Sequence, residues 1–165
     1  KQHGSIRINN RFSFIEPGFN YRMSDINAAI GISQMKKLDW IIQRRRKLAN
    51  IITSKLSGTK GLILPVEPIW ARHTYQTYVL TLDDTIDRDM FIQKLSKYGI
   101  ESILGTYALH MENYIQRLYG YAANDLPNSA KAFRQSLAIP LYPQMYDKDI
   151  DYLVTALKEI IDNFL

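Results

Sequence analysis

Residues 18–56 read GFNYRMSDINAAIGISQMKKLDWIIQRRRKLANIITSKL, and the fold turns on where this stretch becomes helical. Ser24 is a residue type whose oxygen accepts a backbone N–H at a helix start, and Asp25 puts a negative charge in the positive first turn. From there Ile26, Ala29, Ile30, Met35, Leu38, Ile41, Leu48, Ile51, Ile52 and Leu56 recur at mixed three- and four-residue steps, the period of an amphipathic helix. The spacing predicts one helix from Ser24 to about Leu56, ended by Ser57-Gly58. Such a helix is longer than the average of about 11–12 residues and usually links domains or spans a subunit interface. Gly31 within it permits a bend or a close helix contact.

Upstream, residues 1–17 are polar and aromatic, with turn signals at Asn9-Asn10 and Glu16-Pro17-Gly18. They read as a loop with a short strand at Arg11–Ile15. Downstream, Gly58, Gly61, Pro65 and Pro68 mark a connection with an extended segment at Leu62–Leu64. Thr74–Leu82 is rich in aromatic and β-branched residues and predicts a strand. Asp87 caps a helix closed by Gly99, Ile100–Leu104 gives a second strand, and a helix follows near Met111–Tyr119. Pro127 starts another helix over about 128–136, Leu137–Ile139 is a third strand, and Asp147 opens a final helix. In that helix Ile150, Leu153, Val154, Leu157, Ile160, Ile161 and Phe164 keep helical spacing. The order β-α-β-α-α-β-α implies an α+β class, a small sheet covered by helices. Two regions are expected: residues 1–57, a linker and long helix, and residues 58–165, a small α+β domain.

The 165 residues are 46% hydrophobic and 22% charged, a composition that excludes a disordered chain and fits one packed core. There are no cysteines, which excludes disulfides and thiolate metal sites. No apolar run reaches the roughly 18 residues of a membrane span, and Lys1-Gln2-His3-Gly4 does not open a signal peptide. A cytoplasmic location is expected. The net charge is +5, and the densest basic run, Arg44-Arg45-Arg46-Lys47, fans around a helix as solvated charge. No nucleic-acid motif accompanies it.

There is no GxGxxG and no GxxxxGK[ST] loop. His3, His73 and His110 lack ligand spacing, so no metal site is expected. Asp83-Asp84 and Asp87-Arg88-Asp89 sit at a strand end and a helix start, where carboxylates serve turns and the helix dipole. The segment Gly18–Met23 differs. Asn20 offers amide donors and Arg22 a planar five-donor fork, both suited to a phosphate or carboxylate beside a helix start. The same residues suit a turn at Asn20 and an ion pair from Arg22 to Asp25 or Glu16, and residue chemistry alone favours neither use.

The 18–56 stretch resembles the DegT/StrS-type nucleotide-sugar aminotransferases. Its Gly-Phe-Asn-Tyr-Arg-Met opening, Ala28-Ala29-Ile30-Gly31, Gln34-Met35-Lys36-Lys37-Leu38 and later Arg pair follow that family's order. His3-Gly4, Arg72–Leu80, Tyr98–Ser102, Leu126–Ala130 and Leu137–Pro143 resemble further blocks, so the likeness covers essentially the whole chain. It implies the C-terminal portion of a fold-type-I pyridoxal phosphate (PLP) enzyme, with a long interdomain helix and a small α/β sandwich. It implies a homodimer whose sites form at the subunit interface and transfer of an amino group from glutamate to a nucleotide-linked keto-sugar. The resemblance puts the Schiff-base lysine upstream of Lys1, in the large domain, so this stretch alone is expected neither to hold PLP nor to catalyse. Asn20 would reach the cofactor phosphate of the neighbouring subunit, and Arg22 would contact substrate. Tyr107 and His110 lie where the family carries a variable substrate loop, although Leu104–His110 lacks the Tyr-x-Pro of many members. Packing for Tyr107, a helix cap for His110 and a structural place for His73 are the alternatives. Two other functions fit the resemblance: a non-catalytic dimerisation module, and a PLP-dependent sugar dehydratase with His in place of the lysine.

Overall fold

A computed structural model describes residues 5–8, 11–14, 19, 21 and 23–164, of which Ser5–Ile8 and Arg11–Phe14 by backbone alone. The chain divides into two compact units, Lys1–Asp39 and Trp40–Leu165.

In the first unit, β1 (Ser5–Ile8) pairs antiparallel with β2 (Arg11–Phe14), from Ser5 opposite Phe14 to Ile8 opposite Arg11. The expected strand at 11–15 is present, and the loop reading missed its partner. The Asn9-Asn10 and Glu16–Gly18 turn signals lie outside the described residues. Helix α1 (Asp25–Met35) starts as anticipated, with the Ser24 hydroxyl accepting the Asn27 N–H at 3.3 Å. None of its side chains is buried.

The single helix expected over 24–56 is interrupted. Turn residues Lys36-Lys37 separate α1 from α2 (Leu38–Leu56), with the Lys37 N–H turning back to the Gln34 carbonyl at 2.9 Å. Hydrophobic spacing carries across the break, because a two-residue turn shifts the helical phase little. Gly31 is not the cause; a Cβ there would meet nothing within 4 Å. The expected boundary at residue 57 falls inside the second unit, because α2 buries Leu48, Ala49, Ile52 and Leu56 there.

The second unit holds a four-stranded sheet of β3 (Leu62–Ile63), β4 (Tyr78–Leu82), β5 (Ile103–Leu104) and β6 (Ser136–Ile139), in the order β3-β4-β6-β5. Every pair is antiparallel. Strands β4 and β5 therefore run parallel with β6 between them, joined across it through α3 (Arg88–Lys97). Strand β4 alternates: Tyr78, Leu80 and Leu82 are buried, Val79 and Thr81 half-buried. Strand β6 is buried throughout, as a central strand must be. The strand predicted from Thr74 begins only at Tyr78, since Tyr75 takes a positive φ of 50° that ends extended backbone.

Three helix faces meet in the core: Leu48, Ile52 and Leu56 of α2, Phe91 and Leu95 of α3, and Ile150, Leu153, Leu157 and Ile160 of α6 (Asp147–Asp162). The apolar spacing read in α6 is the spacing that is buried. Each such side chain contributes about 1.5–3 kcal/mol relative to exposure. The Asp87 carboxylate caps α3 by accepting the Met90 N–H at 2.7 Å, and Gly99 closes it at φ +70°. Asp83 accepts from the Thr85 N–H and hydroxyl. These acids serve turns and caps, as their positions implied. Helices α4 (Asn113–Tyr119) and α5 (Pro127–Gln135) complete the connection from β5 to β6. Gly105 is required where this connection leaves β5: a Cβ there would stand 2.5 Å from Ser136 Oγ. No helix among the described residues is long and apolar enough to cross a membrane.

Candidate functional site

Asn20 and Arg22 lie outside the described residues. Their neighbours Phe19, Tyr21 and Met23 are 75%, 87% and 68% exposed. Tyr107 is exposed, and its ring centre stands 6.5 Å from that of Phe133. His110 is only 3% exposed, in the turn Leu109–Met111, with Nε2 3.2 Å from the Ala123 carbonyl. Tyr107 thus faces solvent, while the His110 ring is buried and meets the Ala123 carbonyl. Among the described residues no cluster of His, Asp or Glu could hold a metal ion.

The basic run on α2 overturns the expectation of solvated charge. The three arginines are half-buried, and each is committed to internal acceptors on the 64–77 loop, the 140–146 loop or both. Arg44 donates from Nε to the Pro143 carbonyl at 3.1 Å and from Nη2 to the Met145 carbonyl at 2.8 Å. Arg45 donates from Nη1 to the carbonyls of Tyr75, Gln76 and Leu141, at 3.0, 2.9 and 2.8 Å. Arg46 Nη1 contacts Glu67 Oε1 at 2.8 Å and the His73 carbonyl at 2.6 Å. Lys47 of the run is exposed. Fanning around the helix, which the sequence did show, is what lets consecutive side chains reach different backbone acceptors on two loops.

Glu67 completes this network by accepting the His73 N–H at 3.1 Å. The Arg46 guanidinium, and secondarily that N–H, hold its carboxyl below the usual carboxylate range. His73 Nδ1 accepts the Tyr75 N–H at 2.8 Å, and the two rings lie 4.2 Å apart. Tyr75 is the non-glycine with positive φ among the described residues, a conformation that costs about 1–3 kcal/mol. Its N–H, carbonyl and ring are all engaged, so the conformation is over-determined. The structural reading of His73 fits this arrangement. Burial raises the pKa of Tyr75 and of Tyr78, whose hydroxyl is 2.7 Å from Thr53 Oγ1 on α2. Arg88 makes a similar tie elsewhere, from α3 to the Phe133 and Ser136 carbonyls at the end of α5.

The carbonyl acceptors were invisible to sequence reasoning, because a carbonyl has no residue code. The usable signal was a run of arginines in place of lysines on a helix that must be buried; Arg holds several acceptors at once with little loss of entropy.

Comparison with known proteins places this fold. The model of the DegT/DnrJ/EryC1/StrS aminotransferase family matches residues 1–158. The spore coat polysaccharide biosynthesis protein SpsC of Bacillus subtilis is 32% identical over 149 residues, covering 88% of this chain and 38% of SpsC. An uncharacterized protein of Methanocaldococcus jannaschii is 32% identical over 153 residues, covering 91% of this chain and 40% of that protein. The PLP form of a candidate sugar aminotransferase from Streptococcus pneumoniae shares the fold, with a TM-score of 0.86 at 21% identity over 99% of this chain and 42% of that one. The chain thus spans about two-fifths of the length of the curated relatives it matches. With blocks in family order and a family match over nearly its whole length, this chain belongs to the DegT/DnrJ/EryC1/StrS aminotransferase family.

Proposed function

We propose that this chain is the C-terminal portion of a PLP-dependent aminotransferase that moves an amino group from glutamate to a nucleotide-linked keto-sugar. The observation that carries the reading is the family match over residues 1–158. The naming of SpsC for spore coat polysaccharide biosynthesis supports a sugar substrate. PLP, when bound, supplies an electron sink.

The donor chemistry of this chain fits the phosphate end of that cofactor. Asn20 can donate amide N–H bonds to phosphate oxygens, and Arg22 can grip a second anionic group with a planar fork. In this reading Asn20 holds the cofactor phosphate of the neighbouring subunit. Arg22 orients the substrate through its phosphate or carboxylate. Tyr107, exposed after β5, contacts the sugar substrate. His110 acts through the segment that presents Tyr107, since its ring is buried against Ala123. The lysine that anchors PLP is assigned to a segment upstream of Lys1. A homodimer is supported by α1, which exposes Ile26, Ile30 and Met35 at 75%, 56% and 65%.

Asn20→Ala in the protein carrying the lysine segment should raise the PLP dissociation constant about tenfold, one charge-assisted hydrogen bond being worth about 1.5–3 kcal/mol. Equilibrium dialysis reads this directly. Unchanged affinity would remove Asn20 from the site.

A further inference from the structure

Among the described residues, the polar or charged ones that are buried are Arg88, His110 and Ser136. All three belong to the segment that leaves β5 or to its support. Gly105 donates its N–H to the Ser136 carbonyl at 3.1 Å, and its missing Cβ lets the backbone lie against Ser136 and Val79. Two residues on, Tyr107 is 69% exposed, its ring centre 6.5 Å from that of Phe133.

Arg88 holds both supports of Tyr107. One guanidinium nitrogen, Nη1, donates to the Phe133 carbonyl at 2.9 Å and to the Ser136 carbonyl at 3.1 Å. The Ser136 carbonyl thus receives Gly105 and Arg88 together, on its two lone pairs. The guanidinium carbon also lies 5.9 Å from the centre of the Phe133 ring, within cation–π range. The backbone anchor before Tyr107 and the ring beside it therefore lead to one side chain.

The dipole of α3 does not account for a cation there. Arg88 is the first residue of α3, at the positive end of the helix, where a cation is disfavoured. Its side chain is 9% exposed while that of its ion-pair partner Asp89 is 75% exposed, so the two carbonyls are its interior partners. A buried charge often contributes no net stability over an apolar residue; what it can supply is one fixed arrangement.

We propose that Arg88 is a positioning residue: it fixes where Tyr107 stands, and through Tyr107 it governs how tightly the sugar substrate is held. The second half rests on the reading of Tyr107 as a substrate contact; the first does not.

The test uses the protein carrying the lysine segment, with Tyr107 fluorine-labelled on its ring. Arg88→Met keeps an apolar stem and removes the donors. It should move the Tyr107 fluorine resonance and raise KM for the keto-sugar about fivefold, at unchanged KM for glutamate. Arg88→Lys, which keeps the cation, should recover part of both. Arg44→Met frees another pair of carbonyls and should lower the melting temperature without moving the resonance or either KM. Arg88→Met should add nothing to the KM of Tyr107→Ala; a penalty that persists in that background would overturn the inference. An unmoved Tyr107 resonance in folded Arg88→Met would overturn it whatever Tyr107 does in catalysis. Where Arg88→Met does not fold, a parent-like resonance in Arg88→Lys with a lowered melting temperature would do the same. A moved resonance with keto-sugar KM unchanged in Tyr107→Ala would instead overturn the substrate reading and leave the placement standing.

Discussion

Arg45 joins two loops of the second unit, because one guanidinium nitrogen serves three of their carbonyls. Without it, those carbonyls face a half-buried wall with no donor, and Tyr75 loses one of the contacts that hold its positive φ. Arg45→Met should therefore lower unfolding stability by about 3 kcal/mol, read from the urea midpoint at unchanged slope. A loss below about 0.5 kcal/mol, the size of an ordinary surface change, would contradict the clamp. Glu67 sets a pH dependence in the same network. Its carboxyl is depressed by Arg46 first and by the His73 N–H second. A depressed carboxyl contributes stability that is fully present above its unfolded pKa, about 4.3. That stability is lost as pH falls through the lower folded value. Glu67→Gln should thus lower the melting temperature in the neutral region, where the charged pair contributes, and flatten the acid limb so that the variant and the parent converge below about pH 4.3. An acid limb identical to that of the parent would show that the pair is not felt in stability.

Elements were legible where periodicity and burial agree. The apolar positions of α6 were readable because the helix packs one face on a sheet, and the Asp87 and Ser24 caps were readable because their chemistry is local. The break at Lys36-Lys37 was not legible, since neither residue is a breaker and the hydrophobic spacing runs through it. Strand β1 was missed for a related reason: four residues of mixed polarity become a strand only through pairing with β2. Helix α1 raises a different question at this scale. It has 11 residues and buries none of them, whereas isolated helices shorter than about 12–15 residues are marginal in water. In the proposed homodimer the neighbouring subunit would cover it. Ile26→Glu combined with Ile30→Glu should shift the protein from dimer to monomer in sedimentation while leaving the melting of Trp40–Leu165 unchanged. A dimer that persists would remove α1 from the subunit surface.

At the scale of the whole molecule, the family was legible from ordered blocks of sequence, and the match over residues 1–158 agrees. The site was legible only as chemistry. Asn20 and Arg22 were singled out by their donors, not by any geometry the sequence could supply. The net charge of +5 was read as solvated surface charge, yet a large part of the densest basic run is spent on internal carbonyls. The central claim is that this chain supplies site residues across a subunit boundary. Hybrid dimers test it most directly. One subunit carries Asn20→Ala with Arg22→Ala, the other a substitution of the proposed upstream lysine, and neither is active alone. In a two-fold dimer with sites completed in trans, a 1:1 mixture leaves one intact site in each hybrid, about a quarter of wild-type transamination activity. A mixture as inactive as its parents would contradict the account.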